Sequence, residues 1–262
     1  MKSHISYSAL KDWKFCPYYH KVSHIDKLRP FKGNEYTAFG TAIHTTYEKS
    51  LLSEGKALKY ENVFQHAFIQ ELEELNLSNV ETNPDLIAKM YEQGKKLSSL
   101  SYPALKETFG DFEVVSSEEE LYVPLEVKGE KELYFKGFID VVLKKDDRYI
   151  IIDWKTCSWG WDARKKADTM ITYQLTLYKN YYAKKHNIDP DKIDTYFALA
   201  KRTAKKNNIE IFKVSSGKKK VENALKLLNK AIYNIQRKNY IKNRISCQTG
   251  YGCPLYKTDL CK

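Results

Sequence analysis

A mixed α/β protein, a central sheet with helices packed on it and a helical N-terminal elaboration, is the fold class the sequence predicts. Three observations point to it. Helical periodicity dominates the first 110 residues, three strand-like segments follow from about residue 112, and helix and strand patterns then alternate to about residue 240.

Taken in order, Ser6 stands where it can cap a helix through Ser8, Leu10 and Trp13. Residues 34–54 and 60–78 read as the next two helices, and 84–109 as a fourth, opened by Pro84. The texture then changes. Residues 112–127 (FEVVSSEEELYVPLEV), 132–144 (ELYFKGFIDVVLK) and 148–154 read as strands, the last two joined by a tight turn at KDD. A helix follows over about 166–187, strands near 193–200 and 208–214, and a helix from about 218 to 240. Without repeats, low-complexity tracts or an obvious linker, the chain reads as one domain over 1–262. It has a helical part (about 1–110), a core (about 111–240) and a cysteine-bearing segment (about 241–262).

Composition narrows the function classes. A chain of 262 residues with 42% hydrophobic and 13% aromatic content is expected to fold around a core rather than stay disordered. Its longest apolar run falls far short of the ~20 residues a membrane span needs, and MKSHISYSAL lacks the apolar centre of a secretory signal. A reducing cytoplasm is therefore expected, where five cysteines suit metal ligation or free thiols better than disulfides. The net charge of +11, from 44 basic and 33 acidic side chains, suits a polyanionic partner bound through phosphates. The basic residues cluster at 164–166, at Lys201 and Arg202, at 205–206 and at 218–220.

The stretch YIIIDWKTCSWGW (149–161) carries the chemistry. Ile150, Ile151 and Ile152 read as a strand buried on both faces, yet the strand runs on into Asp153 and Lys155 with Trp154 between them. Alternation sends Asp153 and Lys155 to one face and Trp154 to the other. The preceding strand carries Asp140 after Phe138 and Ile139, and a hairpin of the two strands brings the two carboxylates toward each other. Like charges that close raise each other's pKa unless a cation sits between them. An oxygen-preferring divalent ion such as Mg²⁺ or Mn²⁺ resolves the conflict, polarises a phosphodiester and lowers the pKa of a bound water. Lys155 would then stabilise the negative charge that develops in the transition state.

Asp140 followed after twelve residues by Asp153-Trp154-Lys155, with Gly137 three residues before Asp140, resembles the GxxD…DxK form of the PD-(D/E)XK nucleases in their RecB-like branch. Ile139 stands where the superfamily usually has proline. The resemblance implies a restriction-endonuclease-like fold and further site residues. A helical histidine is matched by His44, with Gly40 before it in a G-x-x-x-H arrangement, as a third metal ligand beside Asp140 and Asp153. A Q-x-x-x-Y helix is matched by Gln174 and Tyr178, four apart on one helix face, where they can reach a nucleic-acid strand or brace the lysine. An acidic residue on the strand before the hairpin has three contenders: Glu118, Glu119 and Glu120. Lys201 and Arg202, with Tyr178, are the candidate DNA contacts.

The S-x-S-x-L…C-P start around Cys16 resembles the iron–sulfur members of this branch, AddB-type repair nucleases and the nucleases of CRISPR spacer acquisition. The resemblance implies that Cys16 joins Cys247, Cys253 and Cys261 around a [4Fe-4S] cluster. The spacing of the last three is looser than usual, and four thiolates also suit a structural Zn²⁺. Cys157 is left out of this set. The function implied is metal-dependent DNA cleavage, exonucleolytic on single-stranded or end-containing DNA, in recombination, repair, or phage or CRISPR DNA processing. A recombination or CRISPR-acquisition protein would be the partner. A structure-specific or restriction-type endonuclease and a non-catalytic DNA-binding recombination factor are the alternatives. No Gly-x-x-x-x-Gly-Lys-Ser/Thr motif is present, so the chain has no ATP motor of that type.

Overall fold

The structure is a computed structural model that describes residues 3–28, 32–56, 59–126, 132–250 and 252–261. A short first strand, β1 (Ser3–Ser6), ends at Ser6, whose hydroxyl accepts the Ala9 amide at 3.1 Å and so caps α1 (Tyr7–Phe15). Pro17 opens α2 (Pro17–His20), at the position where a missing N–H costs nothing. Asn34 and Thr37 form a reciprocal capping box for α3 (Glu35–Leu52), and α4 spans Tyr60–Leu77.

The single helix expected over 84–109 is two, α5 (Pro84–Leu97) and α6 (Ser101–Phe109). Pro103 is the reason. It has no amide to donate, and its ring would strike the carbonyl four residues back, so it is tolerated only in the first turn of a new helix. Three strands follow: β2 (Glu113–Pro124), β3 (Leu133–Lys145) and β4 (Arg148–Cys157). Val127, the last residue of the expected first strand, lies outside the described residues. Asp146 and Asp147 make the turn between β3 and β4, with Asp146 left-handed at φ 54°, a conformation aspartate tolerates. The helix expected from 166 is also split. Asp168 accepts the amides of Met170 and Ile171, ending α7 (Ala163–Ala167) and starting α8 (Thr169–His186). β5 (Ile193–Lys201), β6 (Ile209–Lys213) and α9 (Lys218–Gln236) complete the chain's longer elements, α9 ending four residues before the expected 240.

The six strands form one mixed sheet in the order β1-β3-β4-β5-β6, with β2 also paired to β3. β1 runs parallel to β3 and β4 parallel to β5, while β3–β4 and β5–β6 are antiparallel. β1 was not legible as a strand, because SHIS is short and has one apolar residue. Helices on a mixed sheet are the fold class the sequence predicts.

The chain divides into two compact units built from interleaved segments. One comprises residues 1–31, 122–137 and 217–262, the other 32–121 and 138–216; β2 and β3 run through both. The second holds an extensive core in which Phe39, Ile43 and Tyr47 of α3 meet Phe64 and Phe68 of α4 and Met90 and Leu97 of α5. Val141 and Leu143 of β3 and Ile150, Ile152 and Trp154 of β4 join that cluster. The first has a smaller cluster around Val22, Leu255 and Cys261. Among the described residues, no helix is long and apolar enough to cross a membrane.

The core of the second unit is close-packed at Gly94. A Cβ there would lie 1.9 Å from Cζ of the fully buried Phe64 ring, so one methyl group has no room unless α4 and α5 part. Gly94→Ala is expected to lower stability by about 1–3 kcal/mol, read as a lower urea midpoint at an unchanged slope. A wild-type midpoint would mean that the two helices separate freely.

Candidate active site

The β3–β4 hairpin is the frame. Its register steps from Lys145↔Arg148 to Val141↔Ile152, and the next position along each strand is Asp140 beside Asp153. Asp140 Oδ2 accepts the Trp154 amide at 2.6 Å, which fixes this carboxylate against the neighbouring strand. Asp153 is 1% exposed. Its Oδ1 accepts Gln174 Nε2 of α8 at 2.7 Å, and Lys155 Nζ lies 2.5 Å from its Oδ2. Lys155 thus serves the buried Oδ2 as Gln174 serves Oδ1. Trp154 faces the other way, its ring 4.6 Å from that of Tyr47 on α3. Alternation along β4 thus points the ion pair at α8 and the indole at α3.

α3 brings in the imidazole, with His44 Nδ1 3.5 Å from Asp140 Oδ2. Gly40, one turn earlier, faces β4: a Cβ there would sit in ordinary contact, 3.4 Å from Thr156 Oγ1. The third donor comes from β2. Glu118 has φ 52° inside a strand and breaks its alternation there, so its carboxylate gathers with those of the site. Ligand atoms of His44, Glu118 and Asp140 all lie within 4.8 Å of one another. Glu119 instead turns to Lys185 (2.8 Å) and His186 (2.5 Å) of α8, and Glu120 is exposed. Beside Glu118 an open cleft of about 410 Å³ is lined by Gly40, Thr41, Thr45 and Glu48 as well. Glu48 was not singled out in the sequence, although its place four residues after His44 on the same helix face is a usable signal.

The electrostatics follow from crowding. Burial opposes a charge on His44, but the Asp140 carboxylate more than compensates and holds the imidazole above its ordinary pKa. Burial works against the ionised Asp140 too, yet His44 and Lys155 hold it below the usual carboxylate range. Burial pushes Asp153 up to about 6, Asp140 adds to the rise, and Lys155 opposes it. Lys155 stays raised, because Asp153 and Asp140 outweigh the cost of burying its charge. Glu118 is raised first by burial and then by Asp140. Three carboxylates and an imidazole converge here. That donor set fits a hard divalent ion such as Mg²⁺ or Mn²⁺.

Three candidate DNA contacts turn inward. Tyr178 is 6% exposed and its hydroxyl accepts Gln174 Nε2 at 3.3 Å, so its ring is not a free stacking face. Gln174 braces Asp153 rather than the lysine. Lys201 pairs with Glu210 at 3.2 Å. Arg202 bonds Gln93 Oε1 and Ser158 Oγ at 2.9 and 2.8 Å and lies over the Tyr36 ring. Internal partners hold these two basic groups.

Cys16, Cys247, Cys253 and Cys261 all belong to the first unit. The Asn243 amide donates to Cys16 Sγ at 3.3 Å, while Asn243 Nδ2 and Ser246 Oγ donate to the Phe15 carbonyl at 2.9 and 2.5 Å. Cys253 N bonds the Cys247 carbonyl at 3.2 Å. Burial raises the Cys253 thiol, and Cys247, Cys16 and Cys261 each raise it further. No three of these sulfurs lie within 4.8 Å of one another.

A mixed sheet whose central hairpin carries two carboxylates and a lysine, with helices on it, defines a restriction-endonuclease-like fold. The chain belongs to the PD-(D/E)XK nuclease superfamily, whose family model matches residues 4–257. Among solved structures it is similar to a Eubacterium rectale protein named "Putative exonuclease", at a TM-score of 0.58 and 11% identity, over 99% of this chain and 87% of that one. The structure of SSO0001 aligns over 92% of this chain and 91% of that one, at 14% identity and a TM-score of 0.35, too low to argue from. No curated protein matches the sequence.

A divalent ion at this site needs a neutral His44 and an ionised Asp153, whereas the raised pKa values favour a proton on each at mildly acidic pH. Ion binding is therefore expected to release protons, and apparent affinity to climb as pH rises through about 6. Calorimetry of Mn²⁺ binding in two buffers of different ionisation enthalpy measures the release. Affinity that is flat from pH 5 to 8 would remove these two groups from the ion's ligands.

Proposed function

We propose that the protein is a Mg²⁺- or Mn²⁺-dependent deoxyribonuclease that degrades single-stranded or end-containing DNA as an exonuclease. The observation that supports it best is the meeting of His44, Glu118 and Asp140 beside the buried Asp153–Lys155 pair. When bound, a divalent ion polarises the phosphodiester and lowers the pKa of the attacking water. The chain's own residues do the rest. Asp140, Asp153, Glu118 and His44 hold the ion, and the Lys155 ammonium stabilises the negative charge gathering on the phosphoryl oxygens. Gln174 orients Asp153 and is itself buttressed by Tyr178. The exonuclease mode rests on the RecB-like motif pattern of Gly40, His44, Gln174 and Tyr178.

Linear and circular single-stranded DNA, incubated with Mg²⁺ or Mn²⁺, test this. Only the linear form should be degraded; cutting of circles means an endonuclease, and binding without cleavage means a non-catalytic factor. Asp140→Ala and Asp153→Ala should bring cleavage to background, and Lys155→Ala should lower it about 10²–10³-fold while leaving ion binding intact. His44→Ala should be milder, since water can replace one neutral ligand. Wild-type turnover by any of the first three variants would remove the assigned site.

We further propose that Cys16, Cys247, Cys253 and Cys261 hold a [4Fe-4S] cluster. What supports a shared site is that Cys247, Cys261 and Cys16, the last distant in sequence from the others, each act on the Cys253 thiol. Anaerobically purified protein should be brown, with roughly four irons and four sulfides per chain. Replacing any one of the four should lower iron content and stability together, whereas Cys157→Ser should lower neither. One zinc per chain would reassign the same ligands, and a stable protein without metal there would remove the site.

A further inference from the structure

Trp159 lies four residues beyond Lys155, within at most about 13 Å of chain at strand rise, and is 74% exposed. Its neighbours are not loose. The Ser158 carbonyl accepts both the Thr203 amide (2.9 Å) and the Thr203 hydroxyl (2.5 Å), and Ser158 Oγ accepts Arg202 Nη2 at 2.8 Å. On the other side, Gly160 runs close to the Glu210 carboxylate: a Cβ there would lie 2.8 Å from Glu210 Oε2. The Trp161 ring packs 5.2 Å from Phe197 and 6.1 Å from Phe212. The same short segment sinks one indole and holds the other out in water. The exposure of Trp159 is thus set by a pinned backbone rather than by slack.

The charge around it is positive. Residues 159–168 and 201–210 hold seven basic and three acidic side chains. Of the acids, Glu210 is taken by Lys166 (2.5 Å) and Lys201 (3.2 Å), while Asp162 and Asp168 cap α7 and α8. Arg164, Lys205 and Lys206 are exposed and make no ion pair among the described residues. An aromatic face held out from a pinned segment four residues beyond Lys155, with exposed cations on that segment and on the 201–210 segment bonded to it, matches the two demands of a nucleic-acid strand, a base to stack and phosphates to neutralise. A duplex keeps its bases stacked on one another and offers no such face.

We propose that Trp159, with Arg164, Lys205 and Lys206, is a platform that stacks an unpaired base of single-stranded DNA and feeds that strand toward Asp153 and Lys155. The proposal rests on the nuclease activity proposed above. Trp159 is a positioning residue here, not a catalytic one.

The test is binding of a fluorescent single-stranded oligonucleotide by the full chain without divalent ion, alongside a blunt duplex and a strand made abasic throughout. Trp159→Ala should weaken single-strand binding roughly tenfold and Trp159→Phe should recover most of it. Duplex affinity should hardly change, and the abasic strand should bind wild type and Trp159→Ala alike. The salt dependence of binding should be unchanged in Trp159→Ala, and should flatten by about 0.7 in slope per charge removed in Lys205→Ala and Lys206→Ala. Equal affinity of wild type and Trp159→Ala for the single strand overturns the platform, as does an equal loss on the abasic strand. Wild type that shows the base-dependent loss yet never cuts with Mg²⁺ or Mn²⁺ supports the platform and overturns only the nuclease reading. Wild type that cuts while Trp159→Ala binds as it does overturns only the platform.

Discussion

A buried carboxylate braced from two sides is the constraint on which the rest of this protein depends. Asp153 sits midway along β4, just past its apolar run, with a lysine at one oxygen and a glutamine amide at the other. An isolated carboxylate in such a place would shed its charge by taking a proton. Here burial pushes it only to about 6, because Lys155 opposes the rise. The ion pair is therefore kept ionised in a dry place, at the cost of a strained balance among Asp140, Asp153, His44 and Lys155. An added cation would relieve that balance.

The apolar strand is what makes the arrangement rigid. Ile150, Ile152 and Trp154 pack into the core on the α3 side, and a slip of one residue would carry them to the opposite face together with the whole site. The large apolar area on that side holds the register, and the hairpin turn at Asp146 fixes which residue of β3 meets which of β4. Asp140 comes beside Asp153 as a result of packing far larger than either group's own interactions.

The two units carry different chemistry. The second holds the carboxylate–imidazole–lysine site, and the first holds the four cysteines, so the donor sets share no residue. The cysteine segments are tied by polar contacts from Asn243 and Ser246 to the end of α1 rather than by a large apolar core. A cluster there would act as a staple, because metal-binding energy becomes folding energy where the packed core is small.

Local patterns in the sequence carried much of this. The Ser6 cap, the β3–β4 hairpin and the side to which Trp154 turns follow from short-range rules of capping, turn chemistry and period-2 alternation, which act within a few residues. Pro103 and Asp168 also act locally, and their effect on the two split helices was legible in principle from proline geometry and capping. Tertiary structure alone decided the rest. Which of Glu118, Glu119 and Glu120 approaches the site depends on a single left-handed residue that interrupts the alternation of β2, and no one-dimensional pattern encodes it. Tyr178, Lys201 and Arg202 have the composition of a DNA-contact set, but each has an internal partner: Gln174 one helical turn away for Tyr178, Glu210 on the next strand for Lys201, and the distant Gln93 and Ser158 for Arg202. Residue type fixes what a side chain can bond; only the folded chain fixes which partner reaches it first.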